Sequence, residues 1–584
     1  MHMALRKSNV TLLALVLASL LLWAPGSTPT FALTQTTSWS GPVTAQSGMV
    51  VSAKLDASNA GVEVLQKGGN AIDAAVATGF ALAVVHPGAG NVGGGGFMVI
   101  RFADGRTTTI DYREEAPSAA SRDMYLDQER ELIEDLSRVG HLASGVPGSP
   151  AGLLLAHERY GELPLADVMA PAIRLAADGY RLSRSDAAGL NRRYDAFSRF
   201  ESTKRYFTKG RPDLRYEEGE VFVQQDLAEV LRRIRDLGHD GFYRGPTAEL
   251  IAAEMEHGGG IITLEDLAAY EAVEREPVTS TYRGYRILSM GPPSSGGVAL
   301  AQLLNAVEPY HIASMGYHAS ATVHLMGEAM RRVYADRAEW MGDADYVDVP
   351  VEALMDKDYM HARMADFDPN RADSSASIAH GDPLALESTE TTHYSIVDSA
   401  GHAVSVTTTI NGTYGSGVVV DGAGFFLNNE MDDFAAKPGE PNMFGLLGSD
   451  ANAIEPEKRM LSSMTPTIVE DPSGELFMVI GSPGGGRIIT IVMQVIMNVI
   501  DFGMDMQEAV DVRRFHHQWM PDVLEYEALA LPRDVYDNLR ARGWNLEVDG
   551  PWGRADGILV RRFDDGVVYE GGADRRGDDA AVGY

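Results

Sequence analysis

The chain has 584 residues, with Lys+Arg 49 against Asp+Glu 82, a formal net charge of −33 and no cysteine. That length exceeds a typical single domain and leaves room for a large core, while 45% hydrophobic and 22% charged residues suit a globular chain. The charge repels nucleic acid and anionic membrane surfaces, and the lack of cysteine excludes disulfides, a thiolate nucleophile, iron–sulfur clusters and cysteine zinc sites.

The chain starts with an export signal: Arg6 and Lys7 are basic, residues 10–23 are apolar, and Thr30-Phe31-Ala32 offers a small-x-small cleavage site. Removal of residues 1–32 changes the charge to −33 − 2 = −35. The expected protein is exported, periplasmic or secreted, without a stable membrane span, because no later segment approaches about 18 apolar residues in a row. Asn70 caps an alanine-rich helix over 71–85 that His86-Pro87 stops. Asn91-Val92-Gly93-Gly94-Gly95-Gly96 reads as a loop of close backbone approach. It leads to a strand over 97–102, a turn at Asp104-Gly105 and a second strand ending at Asp111-Tyr112-Arg113.

From about 150 to 380 helical periodicity dominates, for example over 227–237 and 322–335, broken by Gly291-Pro292-Pro293-Ser294-Ser295-Gly296-Gly297. Around 371–386 the composition turns small and polar, as in a mobile linker. Strands over 391–397 and 403–409 follow, joined by Asp398-Ser399-Ala400-Gly401, a type I turn closed by a left-handed glycine. Pairing of Asp398 with His402 puts Thr391 opposite Thr409 on one sheet face.

A threonine at a linker-to-strand junction becomes a chain terminus if the Glu390-Thr391 bond is cut. Its own α-amine then serves as the base for its hydroxyl, so one residue supplies nucleophile and proton acceptor. Without further support, Thr391 and Thr392 read as ordinary β-branched strand residues. Downstream, Leu461-Ser462-Ser463-Met464 and Gly481-Ser482-Pro483-Gly484-Gly485-Gly486-Arg487 flank a strand over 476–480. Consecutive glycine amides after a strand can aim two N–H groups at one developing oxyanion. A phosphate loop is disfavoured, because no glycine cluster is followed by Lys-Ser/Thr.

The segments from Glu387 to Ser395, Asn428-Asn429-Glu430-Met431-Asp432-Asp433-Phe434, Leu461 to Thr467, Gly481 to Gly485 and Arg514-Phe515-His516-His517-Gln518-Trp519 resemble the bacterial gamma-glutamyltranspeptidases. The likeness runs over nearly the whole mature chain, including Gly69 to Ala75, Gly93 to Gly96 and Asp111-Tyr112-Arg113. It implies an α+β fold, a four-layer αββα N-terminal-nucleophile hydrolase sandwich with a large helical region. It also implies a precursor that cuts itself before Thr391 and stays a heterodimer of a large subunit (33–390) and a small catalytic subunit (391–584). By position, Thr391 matches the nucleophile, Thr409 the assisting hydroxyl, and Gly484 and Gly485 the oxyanion amides. Arg113, Ser462 and Ser463 match the clamp for the substrate α-carboxylate, and Asn411, Glu430 and Asp433 the group that receives the α-ammonium.

Two departures stand out. Several bacterial relatives have glutamine where this chain has Glu430, which adds a negative charge beside the ammonium. In the lid-like segment 438–449, Phe444 replaces a tyrosine of some relatives and donates no hydrogen bond. The implied activity is γ-glutamyl transfer from glutathione and similar compounds to water, amino acids or peptides, with no cofactor and no metal. His516-His517 reads as structural, since no ligand cluster accompanies it. The sequon Asn411-Gly412-Thr413 falls inside the inferred pocket and is discounted for glycosylation. The alternatives are a glutaryl-type beta-lactam acylase of the same fold and an inactive exported homologue with a binding or toxin-neutralising role.

Overall fold

The computed structural model describes residues 41–379, 391–437, 442–443 and 448–584. The expected export signal, Glu390, Phe444 and most of the lid-like segment lie outside them. The helix Ala71–Val85 shows how local chemistry sets the frame. Asn70 accepts hydrogen bonds from the amides of Ile72 and Asp73, Asp73 bonds back to the Asn70 amide, and all fifteen residues are buried. It lies under the strands Thr392–Val397 and Ala403–Thr409.

Those strands sit at the middle of a seven-stranded antiparallel sheet. The order is Ala580–Gly583, Met49–Ser52, Thr392–Val397, Ala403–Thr409, Gly95–Arg101, Thr107–Tyr112 and Val273–Arg275. A second antiparallel sheet runs Val43–Ala45, Gly566–Ala573, Asp556–Phe563, Leu476–Gly481, Thr467–Glu470, Tyr285–Ser289 and Val278–Tyr282. The sheets face each other across an apolar layer that includes Val51, Val99, Val397, Ile468, Val479 and Ile558. Helices Leu55–Gln66, Ala71–Val85 and Ser149–Tyr160 cover the outside of the first sheet; Gly296–Val307, Arg487–Ile500 and Met506–Asp511 cover the second. This is the αββα sandwich that the resemblance implies.

The hairpin register is as expected: Thr392 pairs with Thr408, the Asp398 amide bonds the His402 carbonyl, and Gly401 takes φ 92°. Two expectations change. The region expected to be mostly helical also contributes the strands Val278–Tyr282 and Tyr285–Ser289, whose β-branched and aromatic residues complete the second sheet. The first part of the expected linker is packed rather than free. Ile378 is buried, the Ser375 amide bonds Asp522, and Trp519 Nε1 donates to the Ser375 and Ile378 carbonyls. Small polar residues satisfy their backbone there through partners far away in sequence. No helix among the described residues is long and apolar enough to cross a membrane.

Candidate active site

Strand alternation aims the nucleophile candidate. Tyr394 and Ile396 belong to the core on the helix side and Val397 to the layer between the sheets. His393 and Ser395 share the Val397 face, and Thr391 continues that row. The row is polar: His393 Nδ1 bonds Thr407 Oγ1 at 2.9 Å, His393 Nε2 bonds Ser395 Oγ at 3.0 Å, and Ser395 Oγ donates to the Asp556 carbonyl. Burial pushes His393 down to about 3, so this ring stays neutral.

One register step beyond Thr392–Thr408 sets Thr391 opposite Thr409, and both line one cavity. Arg113, Asn411, Glu430, Asp433, Ser462, Ser463, Met464, Gly485 and Ile488 complete its wall. All ten expected catalytic and substrate-binding positions except Gly484 thus converge on one wall. Gly484 stands one residue back in the strand-to-helix turn, where φ values of 141° at Gly484 and 56° at Gly485 need glycine. The turn opens the helix Arg487–Ile500, whose N-terminal end favours negative charge.

The glycine run beside the nucleophile strands is a close approach, as its sequence indicates. A Cβ on Gly94 would meet the Thr409 carbonyl at 2.0 Å, and one on Gly95 would meet the Glu114 carboxylate at 2.5 Å. Asn91 pins this junction, donating to the Thr409 carbonyl at 2.8 Å and accepting from the Gly94 amide at 2.8 Å. The Asn411 amide bonds Thr409 Oγ1, and the Asn411 side chain donates to the Asn429 carbonyl. Asn428 accepts from the amides of Gly145 and Glu430 and donates to the carbonyls of Gly93 and Gly145.

The anion clamp differs from its expected form. Arg113, fully buried, spends its fork on Glu430 and Asp433, and its remaining N–H groups reach the carbonyls of Met460 and Leu461 at 3.2 Å. Glu430 is therefore not a free extra charge but half of an internal ion pair. Burial pushes Asp433 up to about 6 and Glu430 well above its ordinary range, against the pull of Arg113. Ser463 Oγ accepts from Arg337 at 2.7 Å, Arg337 also donates to Ser295 Oγ, and Ser295 bonds the Ser462 carbonyl twice. The loop Gly291 to Gly297 thus serves as the backing of Ser462 and Ser463. The cavity measures about 20 Å³, close to the space of one water.

Sequence reasoning gave no role to Asn91, Asn428 and Met464, although each stands in a motif it singled out, and it missed Glu114, Arg337 and Ile488. Glu114 follows Arg113 directly, whereas Arg337 and Ile488 come from the helices Ser320–Trp340 and Arg487–Ile500, which only folding brings to the site. His516 and His517 use their ring nitrogens on Thr490, Gln518, Asp522 and the Trp519 amide, as structural histidines do. Among the described residues no group of three or more His, Asp or Glu is arranged to hold a metal.

The gamma-glutamyltranspeptidase family model matches residues 57–584. The chain is 47% identical over 545 residues to the glutathione hydrolase proenzyme of Escherichia coli, covering 93% of each. Among solved structures, it resembles the cephalosporin acylase from Bacillus halodurans (TM-score 0.82, 29% identity, 97% of this chain and 99% of that one). It also resembles the Helicobacter pylori gamma-glutamyltranspeptidase (TM-score 0.55, 46% identity, 59% of this chain and 96% of that one). With a threonine pair, a glycine turn and a buried arginine between two acids on one cavity wall, and with this likeness over nearly its whole length, the chain belongs to the gamma-glutamyltranspeptidase family.

Proposed function

We propose that the chain is a self-processing γ-glutamyl acyltransferase and hydrolase that cleaves glutathione and other γ-glutamyl compounds. The observation that carries this reading is Arg113 against Glu430 and Asp433 on the wall that holds Thr391. An α-amino acid zwitterion can replace that internal ion pair charge for charge: its carboxylate takes Arg113 with Ser462 and Ser463, and its ammonium takes Glu430 and Asp433 with Asn411.

Thr391 Oγ first attacks the Glu390 carbonyl and its proton passes to the leaving nitrogen; the peptide bond becomes an ester as the Thr391 amine is released, and hydrolysis of that ester frees the Thr391 hydroxyl and the Glu390 carboxylate. In turnover the amine takes the Thr391 hydroxyl proton as Oγ attacks the γ-carbonyl, and Thr409 supports that hydroxyl. The amides of Gly484 and Gly485 receive the oxyanion. The departing amine collects the proton, and water or an acceptor amine then releases the γ-glutamyl group from the Thr391 ester. In this reading residues 1–32 direct export to the periplasm or medium. The large (33–390) and small (391–584) subunits remain together, and Phe444 belongs to a lid.

The likeness to a cephalosporin acylase favours a second reading, a glutaryl-type acylase. A glutaryl group has no ammonium and would leave Glu430 and Asp433 facing each other without a counterion, which is costly when buried. Denaturing electrophoresis with N-terminal sequencing, and hydrolysis of matched γ-glutamyl and glutaryl anilides, test both. The expected result is a small chain starting at Thr391 and preference for the γ-glutamyl anilide. Thr391→Ala is expected to stay a single inactive chain; a cleaved or active variant would remove Thr391 as nucleophile.

A further inference from the structure

Glu114 has no part in the scheme above, yet it sits at the centre of its electrostatics. It is fully buried, and neither carboxyl oxygen has a hydrogen-bond partner among the described residues. It lies 3.5 Å from Arg113 Nη1, the nitrogen that Glu430 also takes, and it faces Glu430, one of whose oxygens is likewise unpartnered. Gly95 makes the space, since any side chain there would strike the Glu114 carboxyl. Arg113 thus contacts three acids, Glu114, Glu430 and the cavity-lining Asp433, and the buried Arg337 guanidinium also bears on Asp433. Two cations against three ionised acids leave one charge uncompensated in a largely buried cluster, a cost that one retained proton removes.

We infer that Glu114 is a positioning residue: it stays protonated and donates that proton to Glu430, which holds the Glu430 carboxylate aimed at the substrate ammonium. This deepens the proposed function and rests on its assignment of the α-ammonium to Glu430 and Asp433. Direct contact with Arg113 keeps Glu430 the ionised member and leaves the proton on Glu114. Burial pushes both carboxyls up, Glu114 to about 7 and Glu430 well above its ordinary range, so the pair keeps a proton near neutral pH. Of the other groups that bear on the cluster, Asp432 is held by Ser137 and Arg138, Tyr112 and Tyr243 are buried phenols, and Arg337, hydrogen-bonded to Ser295 and Ser463, pulls Asp433 down.

The test is steady-state kinetics of γ-glutamyl anilide hydrolysis by the self-cleaved enzyme, with Glu114→Gln and Glu114→Leu, between pH 5.5 and 8. Glutamine keeps an N–H donor in place of the acid proton and has no charge to lose; leucine keeps neither. For Glu114→Gln the expected KM stays within about twofold of wild type at pH 6, whereas Glu114→Leu raises it about tenfold or more with kcat little changed. The wild-type KM is expected to rise with pH around a midpoint of about 7, as loss of the Glu114 proton sets two like charges face to face, and the glutamine variant is expected to show no such titration. A wild-type KM without a titration in this range, or a glutamine variant that titrates like wild type, overturns the inference. If Glu114→Leu does not self-cleave, the pH profile of Glu114→Gln decides alone. The two failures are separable: Asp433→Asn or Arg113→Lys with normal donor KM would remove the α-amino-acid reading itself. A loss in those two variants together with a wild-type-like Glu114→Leu removes only the role of Glu114.

Discussion

Arg113 comes from the end of a hairpin in the proposed large subunit, while its partners Glu430 and Asp433 lie on the other side of the proposed cut. Its contacts among the described residues are to carboxylates and carbonyls inside the pocket, and the carboxylate it is proposed to hold arrives with the substrate, so its fork is not expected to be needed for processing. Arg113→Lys is expected to self-cleave normally but to bind γ-glutamyl donors at least tenfold more weakly, because an ammonium cannot grip the α-carboxylate with two parallel N–H bonds. The comparison of band pattern with donor KM checks this. Normal KM would place the carboxylate elsewhere, and an uncut chain would tie Arg113 to processing.

At the scale of elements, the nucleophile hairpin is positioned along its Ala403–Thr409 edge by backbone approach rather than by large side chains. The strand Gly95–Arg101 and the glycines before it lie against Thr409 with no room for a Cβ, and Asn91 locks the contact. Gly94→Ala forces either the Thr409 carbonyl or the whole loop to move, although it adds a single methyl group. Its expected effect is loss or marked slowing of self-cleavage, at a stability cost of about 1–3 kcal/mol from overpacking. A time course of precursor disappearance, together with thermal melting, measures both. Cleavage at the wild-type rate would show that the loop relaxes without disturbing Thr409.

For the whole molecule, the first sheet interleaves strands from the two sides of the proposed cut. Met49–Ser52 pairs with both Thr392–Val397 and Ala580–Gly583, and Gly95–Arg101 pairs with Ala403–Thr409. The fragments of 390 − 32 = 358 and 584 − 390 = 194 residues are therefore expected to co-elute in native gel filtration and to separate only on denaturation. Separation under native conditions would contradict the shared sheet. Protonation adds a second whole-molecule property. Burial raises Glu114 and Glu115 to about 7, and Asp433 and Asp579 to about 6. The folded chain keeps these protons where the unfolded chain has lost them, so the stability they contribute is complete below the unfolded carboxylate range. It is lost as pH rises through about 6 to 7. Asp522 and Asp578 go the other way despite partial burial, held down by His517 and Arg331 and by Lys54, and they lose their contribution only at far lower pH. Desolvation holds His86, His318, His393, His516 and His517 neutral, and they act in the opposite sense over the same range, so the check is a difference between variants: by calorimetry at constant ionic strength, Glu115→Gln is expected to raise Tm relative to wild type more at about pH 8 than at about pH 5.5. An equal Tm difference at the two pH values would mean that Glu115 ionises freely.

Much of this was legible before folding, and for a local reason. The capped helix 71–85, the hairpin register that sets Thr391 opposite Thr409, and the glycine turn at 484–485 depend on turn chemistry, periodicity two and backbone freedom, all of which act within a few residues. The family likeness added the fold and six further candidate site positions, Arg113, Asn411, Glu430, Asp433, Ser462 and Ser463, by order and spacing alone. Tertiary structure decided what depends on distant partners. It showed that Arg113 is already paired within the chain, that Arg337 and the Gly291 to Gly297 loop back the serine pair, and that residues 371–379 are packed. It also brought Glu114 into a largely buried cluster of acids. The charge state of such a cluster follows from burial and from neighbours hundreds of residues away, and a one-dimensional pattern carries neither.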